Sequence, residues 1–269
     1  LAESGAQMII SLNASPFDLM KSDARMAHAV SRVHESGLPL VYVNMVGGQD
    51  ELVYDGASFA LNADGKLAAH LPSFSETTSV IRVGEDFGVP SLTGQMTPPD
   101  DGMGALYRGL TLGLRDYIDK NGFPGVVLGL SGGIDSAIVA ALAVDALGAE
   151  RVHAVMMPSP YTSQESLDDA ADLAGRLGIR LDEISIAPAM QAMGDMMAPQ
   201  FDGTSADITE ENIQSRLRGL ILMGISNKRG PMVLATGNKS EYAAGYSTLY
   251  GDMCGGFAPI KDVWKVQVF

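Results

Sequence analysis

The residues best suited to chemistry are Ser131-Gly132-Gly133-Ile134-Asp135-Ser136, set between the all-apolar run Val126–Leu130 and an Ala-rich stretch. Glycines there let the backbone approach a ligand closely, and a helix opening at Asp135 aims N–H groups and its positive dipole end at an anion. The chemistry implied is a phosphate cradle. The loop is shorter than Gly-x4-Gly-Lys-Ser/Thr and has no lysine, so γ-phosphate transfer of the kinase or GTPase type loses support. The competing explanation is a Gly-rich turn that only lets a strand meet a helix; the hydroxyls and the carboxylate lining the turn weigh against it. A second segment, Thr236-Gly237-Asn238-Lys239-Ser240-Glu241, follows another apolar run and precedes a helical pattern. In a parallel sheet the loops after strand C-termini converge on one edge, so both segments can face one crevice.

The elements that must position these loops alternate strictly between strand and helix, the pattern of a parallel sheet covered by helices. Helices are expected at 105–120, 135–147 (ended by Gly148), 164–177 (opened by a capping box at Thr162–Glu165 and ended by Gly178) and 209–228. Strands are expected at 125–130, 151–157, 180–186 and 231–236, with a short helix after the last. Earlier in the chain come helix turns at 1–7, a strand at 8–12, a helix at 22–35, a strand at 38–44 and a hairpin turn at Asn62–Gly65. Residues 84–102, rich in Pro, Gly, Asp and Ser, lack periodicity and mark a boundary. The expected organisation is a first domain over 1–90, a linker over 91–102 and a second domain over 103–269.

Composition narrows the class. With 46% apolar residues among 269, the chain can bury one sizeable core or two smaller ones. A formal net charge of -14, without a Lys/Arg-rich stretch, disfavours nucleic acid as a partner. The apolar runs fall short of the roughly 20 residues that cross a bilayer, so no membrane partner is expected and a cytoplasmic location is. The lone Cys254 permits neither an internal disulfide nor a cysteine-rich zinc site, which fits a reducing compartment. His28, His34, His70 and His153 show no metal-like pairing. Both ends run in mid-pattern, so a longer natural protein is expected, with the second domain truncated at its C-terminus.

The first loop resembles the SGGxDS loop of the ATP-pyrophosphatases, which grip pyrophosphate while the α-phosphate is attacked. LGLSGGIDSA at Leu128–Ala137, PSPYTSQES at Pro158–Ser166, TEENIQSRLRG at Thr209–Gly219 and ATGNKSEYAAGYSTLYGDMCGGF ending at Phe257 resemble the glutamine-dependent NAD synthetases in particular. That resemblance implies a Rossmann-like parallel sheet with helices on both faces (adenine nucleotide alpha hydrolase-like). It implies ATP at Gly129, Leu130, Ser131, Gly132, Gly133, Ile134, Asp135, Ser136, Thr236 and Lys265. Deamido-NAD is expected at Asn212, Arg216, Glu241, Tyr246, Ser247, Thr248 and Leu249. Mg²⁺ would sit on Asp135 and Glu241, since it prefers oxygen ligands and binds one or two carboxylates plus phosphate oxygens. A first-turn carboxylate complementing a helix dipole is the competing explanation for Glu241. Lys239 and Lys265 are suited to offset charge on the phosphates. Arg216 and Arg218, two positions apart, point to different faces; Arg216 shares a face with Asn212 and is the expected contact.

The N-terminal portion resembles the second half of the nitrilase-like glutaminase that the family places ahead of its synthetase, part of an α/β sandwich. IISLNASPF at Ile9–Phe17, KSDAR at Lys21–Arg25 and VNMVGGQDELVYDGASF at Val43–Phe59 carry the likeness. Ser15 and Lys21 would help to hold glutamine; a turn hydroxyl and an exposed first-turn lysine are the competing explanations. The family's catalytic glutamate, lysine and cysteine all precede this segment, so no glutaminase catalytic residue is expected here, and Cys254 lies outside any glutaminase motif. The implied activity is ATP-dependent amidation of deamido-NAD, with ammonia from glutamine, in a homo-oligomer. Two alternatives stand: another amidating pyrophosphatase of GMP or asparagine synthetase type, which would lack the GNKSE and YSTLYGDMxGGF runs, and a non-catalytic nucleotide-binding subunit, which could dispense with Asp135 and Glu241.

Overall fold

The computed structural model describes residues 2–86, 88–100 and 102–269. Leu1 of the expected terminal helix turns, Phe87 of the expected first domain and Asp101 of the expected linker lie outside them. The chain divides into two compact units, Leu1–Asp116 and Tyr117–Phe269.

The first unit contains β1 (Ile9–Asn13), α1 (Lys21–Ser36), β2 (Leu40–Asn44), β3 (Val46–Gln49), β4 (Leu52–Asp55), β5 (Phe59–Leu61), β6 (Leu67–His70), β7 (Arg82–Asp86) and β8 (Val89–Thr93); α2 (Gly102–Lys120) follows and runs past the division. A sheet of order β1-β2-β5-β6 pairs β1 with β2 in parallel and the rest antiparallel. Ala29 and Val33, one turn apart on α1, bury against Leu40, Phe59 and Leu61. Gly37 ends α1 in the left-handed region, its N–H bonded to the Val33 carbonyl. The expected hairpin turn at Asn62–Gly65 joins β5 to β6. At the N-terminus the expected helix turns reduce to a three-residue 3-10 turn, Ala2–Ser4. The stretch expected to be irregular instead holds the antiparallel pair β7–β8. Among its described residues Val83 and Val89 are exposed and Leu92 is buried, which leaves its apolar signal weak.

The second unit runs β9 (Val126–Gly129), α3 (Ile134–Leu147), β10 (Val152–Met156), α4 (Gln164–Leu177), β11 (Arg180–Glu183), α5 (Ala187–Phe201), α6 (Ile208–Arg229), β12 (Met232–Val233), α7 (Lys239–Ala244) and α8 (Lys265–Val268). Its sheet, ordered β11-β10-β9-β12, is parallel throughout. Val126, Val127, Leu128 and Val155 are fully buried, as expected where helices cover both faces of a parallel sheet. Val127, Val155, Ile186, Leu222 and Val233 pack into one cluster that ties α6 to the sheet. Each such burial contributes roughly 1.5–3 kcal/mol.

Two local expectations change. The cap of α4 is Ser163, accepting from Ser166 N, while the Thr162 hydroxyl accepts from Ser159 N instead. Strand β11 stops at Glu183, and α5 fills a stretch for which no element was expected. Pro188 and Pro199 obscure that helix in the sequence; Pro188 is tolerated because first-turn N–H groups have no helical partner. Among the described residues no helix is long and apolar enough to cross a membrane.

On β10, His153 places Nε2 2.9 Å from Asp182 Oδ2 of neighbouring β11. Burial holds the imidazole below its ordinary 6.5, opposed by the Asp182 hydrogen bond. A depressed histidine stabilises the fold above its unfolded pKa, and that contribution is lost as pH falls through the folded value. The urea midpoint should therefore drop between about pH 7.5 and about pH 5.5, on either side of the ordinary histidine value. In His153→Gln the drop should be smaller; an equal drop would show that other groups carry it.

Candidate active site

The strand order puts β10 on one side of β9 and β12 on the other, so the chain changes direction across the sheet at β9. Crevices form at such a switch, outside the carboxyl ends of the strands. There a cleft of about 340 Å³ is lined by Gly129 at the end of β9, Leu130 and Ser131 after it, Met157 after β10, and Leu234 and Thr236 after β12. Helix α6 supplies a further wall through Ser215, Arg218, Gly219 and Leu222, one face at i, i+3, i+4 and i+7 spacing.

The cradle is locked by its own hydroxyls. Ser131 N donates to Ser136 Oγ at 3.2 Å, Gly133 N donates to Ser131 Oγ at 3.2 Å, and Ser136 Oγ donates to the Gly133 carbonyl at 3.0 Å. Ser136 is buried beneath the loop, while Ser131, Gly133 and Ile134 are exposed. Gly132 has φ +80°, and a Cβ there would stand 2.4 Å from the Ser166 carbonyl oxygen. Glycine is the residue that permits this turn against α4.

Beside the cradle, Asp135 Oδ2 pairs with Lys265 Nζ, and Asp135 Oδ1 accepts from Asn238 Nδ2 at 3.2 Å. Asn238 is fully buried and caps α7, its Oδ1 accepting from Ser240 N and Glu241 N at 2.9 and 3.1 Å. Glu241 closes the capping box, with Oε2 accepting from Asn238 N at 3.0 Å. One asparagine therefore touches both carboxylates read as metal ligands, and one Glu241 oxygen serves the helix terminus. The two lysines part: Lys265 takes the ion pair, while Lys239 lies 4.6 Å over the Trp264 ring, a cation–π arrangement.

The loop after α7 is sewn to α6. Thr248 Oγ1 donates to Asn212 Oδ1 at 2.9 Å, Arg216 Nε to the Leu249 carbonyl at 3.2 Å, and Asp252 N to Ser215 Oγ at 2.9 Å. Asn212, Arg216 and the 246–249 run thus come together, with the side chains of Tyr246 and Leu249 facing solvent. Arg218, the arginine not favoured from sequence, is the one lining the cleft; its Nε donates to the Met157 carbonyl at 3.1 Å, and burial lowers its pKa. Its spacing from Ser215, Gly219 and Leu222 was the available signal. Cys254 lines the same cleft, with Sγ 4.0 Å from the Gly219 carbonyl. Among the described residues no group of three or more His, Cys, Asp or Glu side chains is arranged to hold a metal.

In the first unit, Ser15 N donates to Asn44 Oδ1 at 2.9 Å. Lys21 opens α1, and its N–H bonds to the Asp18 carbonyl at 3.1 Å.

A family model described as NAD synthase matches residues 106–269, and one described as carbon-nitrogen hydrolase matches residues 1–86. The glutamine-dependent NAD(+) synthetase of Rhodobacter capsulatus is 54% identical over 272 residues, covering 100% of this chain and 49% of that protein. Its counterpart in Xanthomonas campestris pv. campestris (strain 8004) is 48% identical over 270 residues, covering 99% and 49%. The solved glutamine-dependent NAD+ synthetase from Acinetobacter baumannii, in complex with adenosine diphosphate, superposes with a TM-score of 0.94 at 46% identity, covering 99% of this chain and 51% of that one. The chain spans about half the length of the curated relatives it matches.

Proposed function

The chain belongs to the NAD synthase family, and from that premise we propose that, within its full-length protein, it amidates deamido-NAD to NAD using ATP, with glutamine as the source of ammonia. The observation that carries this reading is the meeting, at one sheet edge, of the glycine cradle, the Asp135–Lys265–Asn238 cluster and the loop anchored on α6.

The nicotinate carboxylate attacks the α-phosphorus of ATP and pyrophosphate leaves; ammonia then attacks the acyl-adenylate carbonyl carbon and AMP leaves. A carboxylate oxygen is a poor leaving group until AMP carries it away, so no protein nucleophile is required. Gly132 and Gly133 admit the phosphates, and Ser131 and Thr236 line the ATP cleft. Lys265, held beside the cradle by Asp135, offsets charge building on the departing pyrophosphate. Asn212 and Arg216 hold the Tyr246–Leu249 run against the deamido-NAD side of the site. Excluding water matters here, because water would hydrolyse the adenylate.

Asp135 and Glu241 would hold Mg²⁺. The donors fit a hard cation: both groups offer carboxylate oxygens, and Asn238 bonds to each of them. Two carboxylates leave the remaining positions to phosphate oxygens and water, the usual magnesium arrangement. When bound, the ion supplies Lewis-acid stabilisation of phosphate charge.

The test is AMP and pyrophosphate release by the full-length protein given ATP, ammonia and one of deamido-NAD, xanthosine monophosphate or aspartate. Deamido-NAD should stimulate AMP formation at least about a hundredfold more than the others, the discrimination open to a site that pairs polar substrate groups. Equal stimulation by either alternative would remove the acceptor assignment and leave the pyrophosphatase chemistry standing.

A further inference from the structure

Three side chains of the first unit form an enclosed polar cluster outside the residues read as ligand contacts. Arg25 of α1 and Asp55 of β4 make a bidentate pair, Nη1 donating to Oδ2 at 3.1 Å and Nη2 to Oδ1 at 3.0 Å. Their side chains are only 6% and 7% exposed. Asn44, the last residue of β2 and also buried, donates from Nδ2 to Asp55 Oδ1 at 3.2 Å. The cluster converges on Ser15. Ser15 N donates to Asn44 Oδ1 at 2.9 Å, and the Ser15 carbonyl accepts from Asn44 Nδ2 at 3.3 Å and from Arg25 Nη2 at 3.4 Å. Both main-chain groups of Ser15 are clamped, and its hydroxyl stays outside the network.

A buried ion pair is a poor stabiliser, since desolvating both charges offsets their attraction and well-packed apolar residues do as well or better. This one is also incomplete, because Arg25 Nε is buried without a hydrogen-bond partner. What apolar packing cannot supply is direction: donors and an acceptor aimed at one peptide unit. Lys21 lies four residues before Arg25 on α1, on the same face, so the arginine also anchors the turn that carries Lys21. Asp55 and Asn44 are 5% and 6% exposed, and their side-chain bonds go to Arg25, to each other and to the Ser15 main chain.

We infer that the Arg25–Asp55–Asn44 cluster is a positioning device for the nitrogen-donor site, setting the Ser15 and Lys21 turns in the geometry that binds glutamine. This rests on the proposed role of Ser15 and Lys21 in holding glutamine. The experiment compares Ser15→Ala, Asp55→Asn and the double variant Arg25→Met/Asp55→Leu in the full-length protein. It measures glutamine KM and kcat for amide hydrolysis, amidation driven by free ammonia, and melting temperature. Ser15→Ala and Asp55→Asn should raise the glutamine KM about tenfold or more, with a smaller change in kcat, as expected of a misplaced binding group. The double variant should melt no lower than the wild type yet keep the raised KM, while ammonia-driven amidation holds its rate in Asp55→Asn and in the double variant. A wild-type KM in the double variant would overturn the inference, because packing alone would then suffice. If the double variant fails to fold, Asp55→Asn decides in the same way, assayed below its lowered melting temperature, because a buried Arg25 left without its carboxylate costs about 3–5 kcal/mol. A wild-type KM in Ser15→Ala would overturn the glutamine reading of Ser15 itself, so the silent variant identifies which idea fails.

Discussion

Asp135→Asn is expected to slow adenylate formation about a thousandfold, because a lost metal carboxylate removes several kcal/mol of charge stabilisation and each 1.36 kcal/mol is a factor of ten. The amide can still accept from Asn238 Nδ2, the bond Asp135 makes at 3.2 Å, so melting temperature should change little. Asp135→Ala should be as slow and less stable, since it strips a partner from a fully buried asparagine, a loss on the order of 1–3 kcal/mol. Glu241 separates its two roles by the same logic. Glu241→Gln keeps an oxygen for Asn238 N, the capping contact at 3.0 Å, but removes the charge, so slowed pyrophosphate release with an intact fold would mark a metal ligand. Normal turnover in Glu241→Gln at saturating Mg²⁺ would reduce this carboxylate to a helix cap, and normal turnover in Asp135→Asn would remove the metal assignment at the cradle.

Gly132→Ala carries the second large effect. The methyl would meet the Ser166 carbonyl oxygen at 2.4 Å and the Ser166 Cα at 2.9 Å, at a φ of +80°. Backbone in the left-handed region costs an L-residue roughly 1–2 kcal/mol before any clash. Backbone atoms of α4 cannot rotate aside, so the loop or the helix must shift, and either displaces the N–H groups of the cradle. We expect ATP affinity to fall by about a hundredfold, the scale of a misplacement near 1 Å, and the melting temperature to fall with it. Gly224→Ala is the matched control. Gly224 is exposed in α6, and a methyl added to it would have nothing within 4 Å; alanine there should stabilise by roughly 0.5–1 kcal/mol. Calorimetric ATP titration and thermal melting of both variants check this; unchanged affinity in Gly132→Ala would show that the loop yields without penalty.

Much of the second unit was legible because its signals are local. Apolar strands followed by Gly-capped helices report their own 3.6- or unbroken apolar pattern, and parallel strands must place their C-terminal loops on one edge. The cradle at 131–136 and the loop at 236–241 could therefore be assigned to one crevice without knowing a distance. The β7–β8 pair and α5 escaped because an exposed ribbon and a helix bearing Pro188 and Pro199 lack those patterns. Pairings across long separations were decided by the tertiary structure alone. Lys265 reaches Asp135 across 130 residues, Asn238 reaches it across 103, and Arg218 meets the Met157 carbonyl across 61. Residue type and spacing specify which groups can bind phosphate or a cation. Which lysine pairs with the carboxylate, which arginine lines the cleft and which glutamate oxygen caps α7 depend on how helices pack over the sheet, a geometry set by burial summed over the whole core.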